Sequence, residues 1–208
     1  MTKTKIKEIL KNTFKNCLNE SFTILSYEQF SLLSPKEKLD YAVARANKGF
    51  PIYYEQFSLL SSEEKRDYAV AMANKGYVLS DERFSLLSQE GKRDYSVAMA
   101  NKGDAISNKR FSSLSPKAKR DYAVAWANKG YTISDKRFSL LSPESKRDYA
   151  LAMANKGYVL SDAQLSLISQ KAQEECLYII KMRKLFSNNE TALEKFQDLM
   201  REKYKLNV

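Results

Sequence analysis

A repeat of 27 residues constrains this chain more than any other feature of its sequence. A phenylalanine followed by Ser-Leu-Leu-Ser, or a close variant, recurs at this interval, and residues 109–135 match residues 136–162 at 20 of 27 positions. Self-similarity at a period of this length is typical of stacked units that share one continuous core. The repeated phenylalanines are Phe30, Phe57, Phe84, Phe111 and Phe138, and Leu165 replaces them in a divergent sixth copy.

Each copy predicts a short helix followed by a long one. A serine precedes each helix, and its hydroxyl can accept a hydrogen bond from an unpaired amide of the first turn. A glycine follows the long helix after about 14 residues, where a left-handed residue ends many helices. The predicted caps of the long helices are Ser34, Ser61, Ser88, Ser115 and Ser142, and their stops are Gly49, Gly76, Gly103, Gly130 and Gly157. The short helices, of roughly two turns, follow Ser26, Tyr53, Ser80, Ser107, Ser134 and Ser161.

These patterns predict an all-α protein, a superhelical solenoid of two-helix repeats with a helical cap at each end. A solenoid needs such caps because its terminal units would otherwise expose their apolar faces. We expect an N-terminal capping helix in 1–25, five tandem repeats in 26–162, and a degenerate sixth repeat with C-terminal capping helices in 163–208. Apolar residues recur at helical spacing within both predicted caps, over 4–19 at one end and over 170–186 and 190–205 at the other.

Composition argues against catalysis. The chain has no histidine, which is the commonest general base, and its two cysteines, Cys17 and Cys176, are far apart in the sequence. Five of its six glycines are predicted helix stops, so no glycine-rich phosphate loop is present. We therefore predict a protein that is not an enzyme, with no cofactor, no metal site and no membrane span. We expect it to be cytoplasmic, with translocation into a host cell as an alternative.

A polar stripe runs along the long helices and has two interpretations. One helical face carries Asp, Ala and Asn in each copy, as in Asp148, Ala152 and Asn155. The stripe either lines a binding groove or forms a ladder in which each Asp pairs with the Arg of the next copy. The second interpretation is favoured because partly buried charges need partners. The arginines are Arg66, Arg93, Arg120 and Arg147.

The same arginines also support an alternative function in nucleic-acid binding. With 35 Lys and Arg against 25 Asp and Glu, the net charge is +10. A Lys-Arg pair recurs once per repeat, and a basic ladder of this kind can follow a phosphate backbone. The sign of the charge is uneven, however, because copy two is acidic and copy four is strongly basic. The ladder comprises Lys65, Arg66, Lys92, Arg93, Lys119, Arg120, Lys146 and Arg147.

Positions that vary among the copies are the best candidates for contacts with a protein partner. They lie on either side of the repeated Asn-Lys-Gly and hold mostly large side chains, which form either the inter-repeat core or partly exposed anchors. We predict a non-enzymatic scaffold that binds a protein partner along its surface, with affinity concentrated at the aromatic residues. The candidate contacts are Arg45, Met72, Met99, Trp126, Tyr131, Met153 and Tyr158.

Two families of helical repeats resemble this chain. The short helix ending in Leu-Leu-Ser, followed by Lys-Arg-Asp-Tyr-Ala-x-Ala-x-Ala-Asn, is similar to leucine-rich-repeat-variant and HEAT-like units over residues 26–176. That resemblance implies a superhelical fold. The string from Leu141 to Gly157 also resembles the repeats of transcription-activator-like effectors, whose loop after the first helix reads a DNA base. Because Asn-Lys is the same in all five copies, that resemblance implies uniform contacts rather than a base-by-base code.

Overall fold

A computed structural model describes residues 24–187, together with 189, 191, 192, 194–196, 198 and 199. It divides the chain into two compact units, Met1–Tyr95 (unit 1) and Ser96–Val208 (unit 2). The predicted N-terminal capping helix in 1–25 lies outside the described residues except for its last two positions, and so does Cys17. The predicted helix over 190–205 lies partly outside them.

Helices account for all regular structure in the described residues, which contain no strand, so the all-α prediction is confirmed. The helices of unit 1 are α1 (Tyr27–Ser31), α2 (Pro35–Asn47), α3 (Tyr54–Ser58), α4 (Ser62–Asn74), α5 (Asp81–Ser85) and the first part of α6 (Gln89–Lys102). Unit 2 contains the rest of α6, then α7 (Asn108–Ser113), α8 (Pro116–Asn128), α9 (Asp135–Ser139), α10 (Pro143–Asn155), α11 (Asp162–Leu165) and α12 (Gln170–Phe186).

Within each unit, helices of successive copies pack on one another in order. In unit 1, long helix α2 packs on α4 and short helix α1 on α3. In unit 2, α8 packs on α10 and α10 on α12, while α7, α9 and α11 follow one another. This sequential packing is the solenoid-like arrangement that the 27-residue period predicts.

The predicted helix starts and stops are confirmed. Serine hydroxyls accept amide hydrogen bonds at the long helices, for example Ser61 from Glu64 at 3.2 Å and Ser88 from Gly91 at 3.0 Å. The five glycines that end the long helices have φ between 79° and 90°, a region that glycine enters without a Cβ clash. The short helices contain only four to six residues, fewer than expected. They end early because the chain must turn to place the next capping serine in an extended conformation.

The core repeats one aromatic pair per copy. The phenylalanine of each short helix contacts the tyrosine of the long helix, with ring centroids 5.6–5.7 Å apart. The tyrosine hydroxyl also accepts the backbone N–H of the residue 16 positions earlier, as Tyr149 does from Ile133 at 3.0 Å. Burial of the phenol raises the pKa of Tyr149 to about 12. One side chain thus fills the core and satisfies a buried amide.

The sixth copy replaces several of the repeated contacts. Lys184 stands where the other copies have the glycine stop, so α12 continues for 17 residues. Arg183 lies against the preceding stop at Gly157, and its guanidinium donates to the Asn155 carbonyl at 2.6 Å. Cys176 takes the place of the core tyrosine, and burial raises the pKa of its thiol to about 12. Helix α12 therefore keeps substituted versions of the repeated contacts.

Candidate binding edge

In each unit, the residues that follow the helix-ending glycines lie at the C-terminal ends of the long helices. We call these positions the tyrosine edge of each unit. Four of the five members are aromatic and exposed, and a lysine precedes the glycine in every copy. The fifth, Asp104, is half-buried. The aromatic members are Phe50 and Tyr77 in unit 1, and Tyr131 and Tyr158 in unit 2.

The tyrosine rings of this edge rest on the glycine turn of the preceding copy. A Cβ added to Gly103 would lie 3.3 Å from the Tyr131 hydroxyl, and one added to Gly130 would lie 3.2 Å from the Tyr158 hydroxyl. In unit 1, the Tyr77 hydroxyl approaches Gly49 in the same way. Each of these glycines therefore has two roles: it adopts the positive φ that ends the helix, and its lack of a Cβ leaves room for the tyrosine ring. The three tyrosine rings are thus held in place by contacts within the protein itself.

Two of the exposed rings also contact a side chain of their own copy. Trp126 contacts Tyr131 in a tilted arrangement with ring centroids 4.6 Å apart, and its indole Nε1 donates to the Thr132 carbonyl at 3.1 Å. In the first copy, the Arg45 guanidinium lies 5.8 Å from the Phe50 ring centroid. These contacts restrict the rings of Tyr131 and Phe50.

The structure separates the predicted partner contacts into two groups. Tyr131 and Tyr158 are 46% and 47% exposed, and Arg45 is half-buried. Trp126 is only 9% exposed, and Met72, Met99 and Met153 are buried in the core. The inclusion of the three methionines among the contacts is therefore corrected, because a partner approaching from solvent cannot reach them. The sequence could not separate the groups, since both occupy variable positions with large side chains.

The arginines and aspartates form a ladder, but its direction is opposite to the expected one. Three arginines reach the acidic residue of the following copy, so these acidic residues pair with the preceding copy. In unit 1, Arg66 Nε lies 3.5 Å from Asp94. In unit 2, Arg120 Nε donates to Asp148 at 2.5 Å, and Arg147 donates to Glu175 at 2.9 Å. Burial lowers the pKa of Arg120, but its contacts with Asp148 and Asp121 outweigh this effect and raise it.

The lysines of the predicted basic ladder also contact their own protein. The ammonium groups of Lys65, Lys92 and Lys146 lie 5.8–5.9 Å from the ring centroids of the phenylalanines in their copies. Cation–π contacts at this distance are attractive. Most of the residues assigned to the nucleic-acid alternative thus contribute to intramolecular ion pairs or ring contacts.

A third ladder, which was not predicted from the sequence, is formed by side chains of the short helices that reach the preceding copy. Gln56 Nε2 donates to the Leu25 carbonyl at 2.7 Å, and Gln164 Nε2 donates to the Ile133 carbonyl at 3.0 Å. Arg83 and Arg137 make the equivalent bonds to Ile52 and Ile106. The signal was present in the sequence, because the residue before each core position of the short helix is always Gln or Arg, and both are long donors.

The exposure of the Asp-Ala-Asn stripe differs between copy one and copies four and five. Asp40 and Asn47 are exposed, whereas Asp121 and Asn155 are each 4% exposed. The Asn155 Oδ1 is buried and lacks a hydrogen-bond partner. A partner can therefore reach the stripe in copy one, but these two residues of unit 2 are packed inside the protein.

Comparisons with known proteins assign no relative. No protein-family model matches the chain, and neither a curated protein nor a solved structure matches it. Among the described residues, no three Cys, Asp or Glu side chains come together in a group that could hold a metal ion. None of the helices described is long and apolar enough to cross a membrane.

Proposed function

We propose that this protein is a non-catalytic helical-repeat scaffold that binds an extended segment of a protein partner along the tyrosine edge. The observation that carries the proposal is the supported, half-exposed aromatic ring that recurs at the same position in four copies. Tyrosine and tryptophan are enriched among residues that dominate binding energy. Rings that are already held in place lose little conformational entropy on binding.

An extended peptide suits a pair of aromatic anchors one repeat apart, and each unit presents one such pair. Aromatic-lined grooves recognise extended, proline-rich segments in several binding modules. Val78 and Val159 follow tyrosines of the edge and are themselves 63% and 65% exposed, which enlarges the apolar surface in both units. The resemblance to leucine-rich-repeat-variant and HEAT-like units also supports a binding role, since stacked helical repeats present long surfaces to partners.

Nucleic-acid binding remains the second candidate because of the charge of unit 2. Residues 96–208 contain 20 Lys and Arg against 12 Asp and Glu, whereas residues 1–95 contain 15 against 13. A net charge of +8 attracts phosphate backbones. The intramolecular contacts of Arg120, Arg147 and Lys146 reduce what the predicted ladder can offer to phosphates. Protein binding is therefore the stronger candidate.

The test is selection of ligands from a random-peptide display library, followed by titration of the selected peptides. Trp126 is the single tryptophan of the chain and contacts the Tyr131 ring, so its fluorescence reports binding at this edge. We expect Tyr131→Ala with Tyr158→Ala to weaken binding by about tenfold or more. The matched control is Tyr54→Ala with Tyr178→Ala, which removes two equally exposed tyrosines elsewhere.

Two results would count against the proposal. Equal loss in the edge and control variants would show that the edge is not the binding surface. Alternatively, fluorescence anisotropy could detect tight binding to DNA or RNA at about 50 mM salt that weakens steeply at about 200 mM. Loss of that binding when Lys119, Arg120, Lys146 and Arg147 are neutralised would establish the nucleic-acid function instead.

A further inference from the structure

The outer surface of the short helices carries a charge pattern that differs between the two units. In unit 1, an exposed glutamate follows the first residue of each short helix. In unit 2, the equivalent residues of copies four and five are exposed lysines. We call Glu28, Glu55 and Glu82 the acidic row, and Lys109 and Lys136 the lysine row.

A leucine accompanies most of these charges. Leu32, Leu59 and Leu86 lie four residues after the members of the acidic row, and Leu140 lies four residues after Lys136. All four leucines have helical backbone angles at the ends of their short helices. Residues four apart on a helix are neighbours on one face. Leu32 is 56% exposed and Leu140 is 45% exposed, so apolar surface borders the charges in both units.

At this position the sign of the charge reverses between units whose short helices share several other residues. The serine three residues later is present in all of these copies, as are the core phenylalanine and the second leucine. Copies that are otherwise nearly identical thus differ at an exposed site that contributes nothing to the core. Unit 1 and unit 2 consequently present opposite charges on equivalent surfaces, with leucine side chains on each.

We infer that these two surfaces bind each other between molecules, so that the acidic row of one copy of this chain docks on the lysine row of a second copy. Complementary charges would select the pairing and its register, and the exposed leucines would supply apolar contact. Because the two surfaces differ, the contact is heterologous and can propagate into a larger assembly or close into a ring. This interaction uses residues that lie outside the tyrosine edge.

Exchange of charges tests this inference in the full-length protein. The acidic-row variant carries Glu28→Lys and Glu55→Lys, and the lysine-row variant carries Lys109→Glu and Lys136→Glu. Each should raise the dissociation constant by about tenfold or more, because like charges then face each other. A mixture of the two variants should restore association, since the reversed rows attract once more. Sedimentation velocity over a roughly hundredfold concentration range measures the assembly.

A charge-matched control keeps the result specific. Lys75→Glu with Lys129→Glu changes the net charge as much as the lysine-row variant does, but places the change beside the tyrosine edge. This control should associate like the unaltered protein, and circular dichroism should show that all variants are folded. A monomer at every concentration in low salt would overturn the inference. So would association that neither row variant weakens, or a mixture that fails to recover it.

Discussion

Copies of one repeat have different surroundings in the two units. The third turn of the long helix carries Val43 in copy one and Val124 in copy four, at equivalent positions of the repeat. Val43 is half-buried, whereas Val124 is 1% exposed. The flanking aspartates follow the same trend, because Asp40 is exposed and Asp121 is buried. Identical side chains therefore differ in burial according to their place in the stack.

The burial of some side chains is therefore the same in every copy, whereas the burial of others depends on where the copy lies in the protein. Phe30 and Tyr41 of unit 1 are as buried as Phe138 and Tyr149 of unit 2, so the aromatic core does not depend on the copy. The polar stripe does depend on the copy, because Asp121 of copy four and Asn155 of copy five are buried. Mutations at equivalent positions should consequently have unequal effects along the stripe and equal effects in the shared ladders.

The largest expected difference is between Val124→Asp and Val43→Asp. An aspartate at position 124 would bury a charge that has no partner there, so we expect the free energy of unfolding to fall by more than about 4 kcal/mol. At the half-buried position 43, the loss should be below about 1 kcal/mol. Urea denaturation measures both. If Val124→Asp does not fold, Val124→Ala should still lose about 2 kcal/mol. Equal losses at the two positions would contradict the comparison.

The aspartates of the stripe should show the next largest difference. Arg120 Nη1 donates to Asp121 at 3.1 Å, and the Asp121 side chain is nearly buried. Asp121→Asn should therefore destabilise the protein by about 3 kcal/mol, since the arginine loses a buried partner. Asp40→Asn, at the exposed equivalent, should change stability by about 0.5 kcal/mol or less. Thermal unfolding of both variants, with Asp40→Asn as the control, distinguishes these outcomes.

Alkaline pH should destabilise the protein through its buried tyrosines. The pKa of Tyr149 is about 12 in the folded protein against an ordinary value of 10. The folded state therefore holds this proton more tightly, so its contribution is complete below pH 10 and is lost as the pH rises to about 12. Two pKa units correspond to about 2–3 kcal/mol. Denaturation between pH 9 and 12 should show this slope, and Tyr149→Phe should reduce it; an unchanged slope would contradict the assignment.

The smallest effects on stability should come from the side chains of the short helices that reach the preceding copy. For these side chains, equivalent mutations in the two units should have equal effects. Gln56→Leu and Gln164→Leu each leave a carbonyl without its donor, so each should cost about 1–2 kcal/mol. Gln56→Arg should change stability by less than about 0.5 kcal/mol, because Arg83 and Arg137 make the same contact in their copies. Urea denaturation measures all three. A large loss in Gln56→Arg would show that the two side chains are not interchangeable.

The local structure was predictable because its causes are local. Ser61, Glu64 and Gly76 mark the start and stop of α4 through hydrogen bonds and backbone angles that involve only nearby residues. The direction of the arginine ladder was not predictable, because Arg120 can reach either neighbouring copy on sequence grounds alone. Met99 was misassigned for a related reason, since a variable position with a large side chain occurs both in cores and in binding surfaces.

The repeat, the all-α class, the ends of the long helices and the aromatic residues of the core could all be predicted from the sequence. Each of these follows from periodicity or from interactions within a few residues of the chain. The direction in which Arg66 and Arg147 pair, the exposure of the rings of the tyrosine edge and the burial of the polar stripe became known only from the packing of the copies. Those outcomes depend on how one copy sits against the next, and a sequence in which the copies are nearly identical carries little information about that placement.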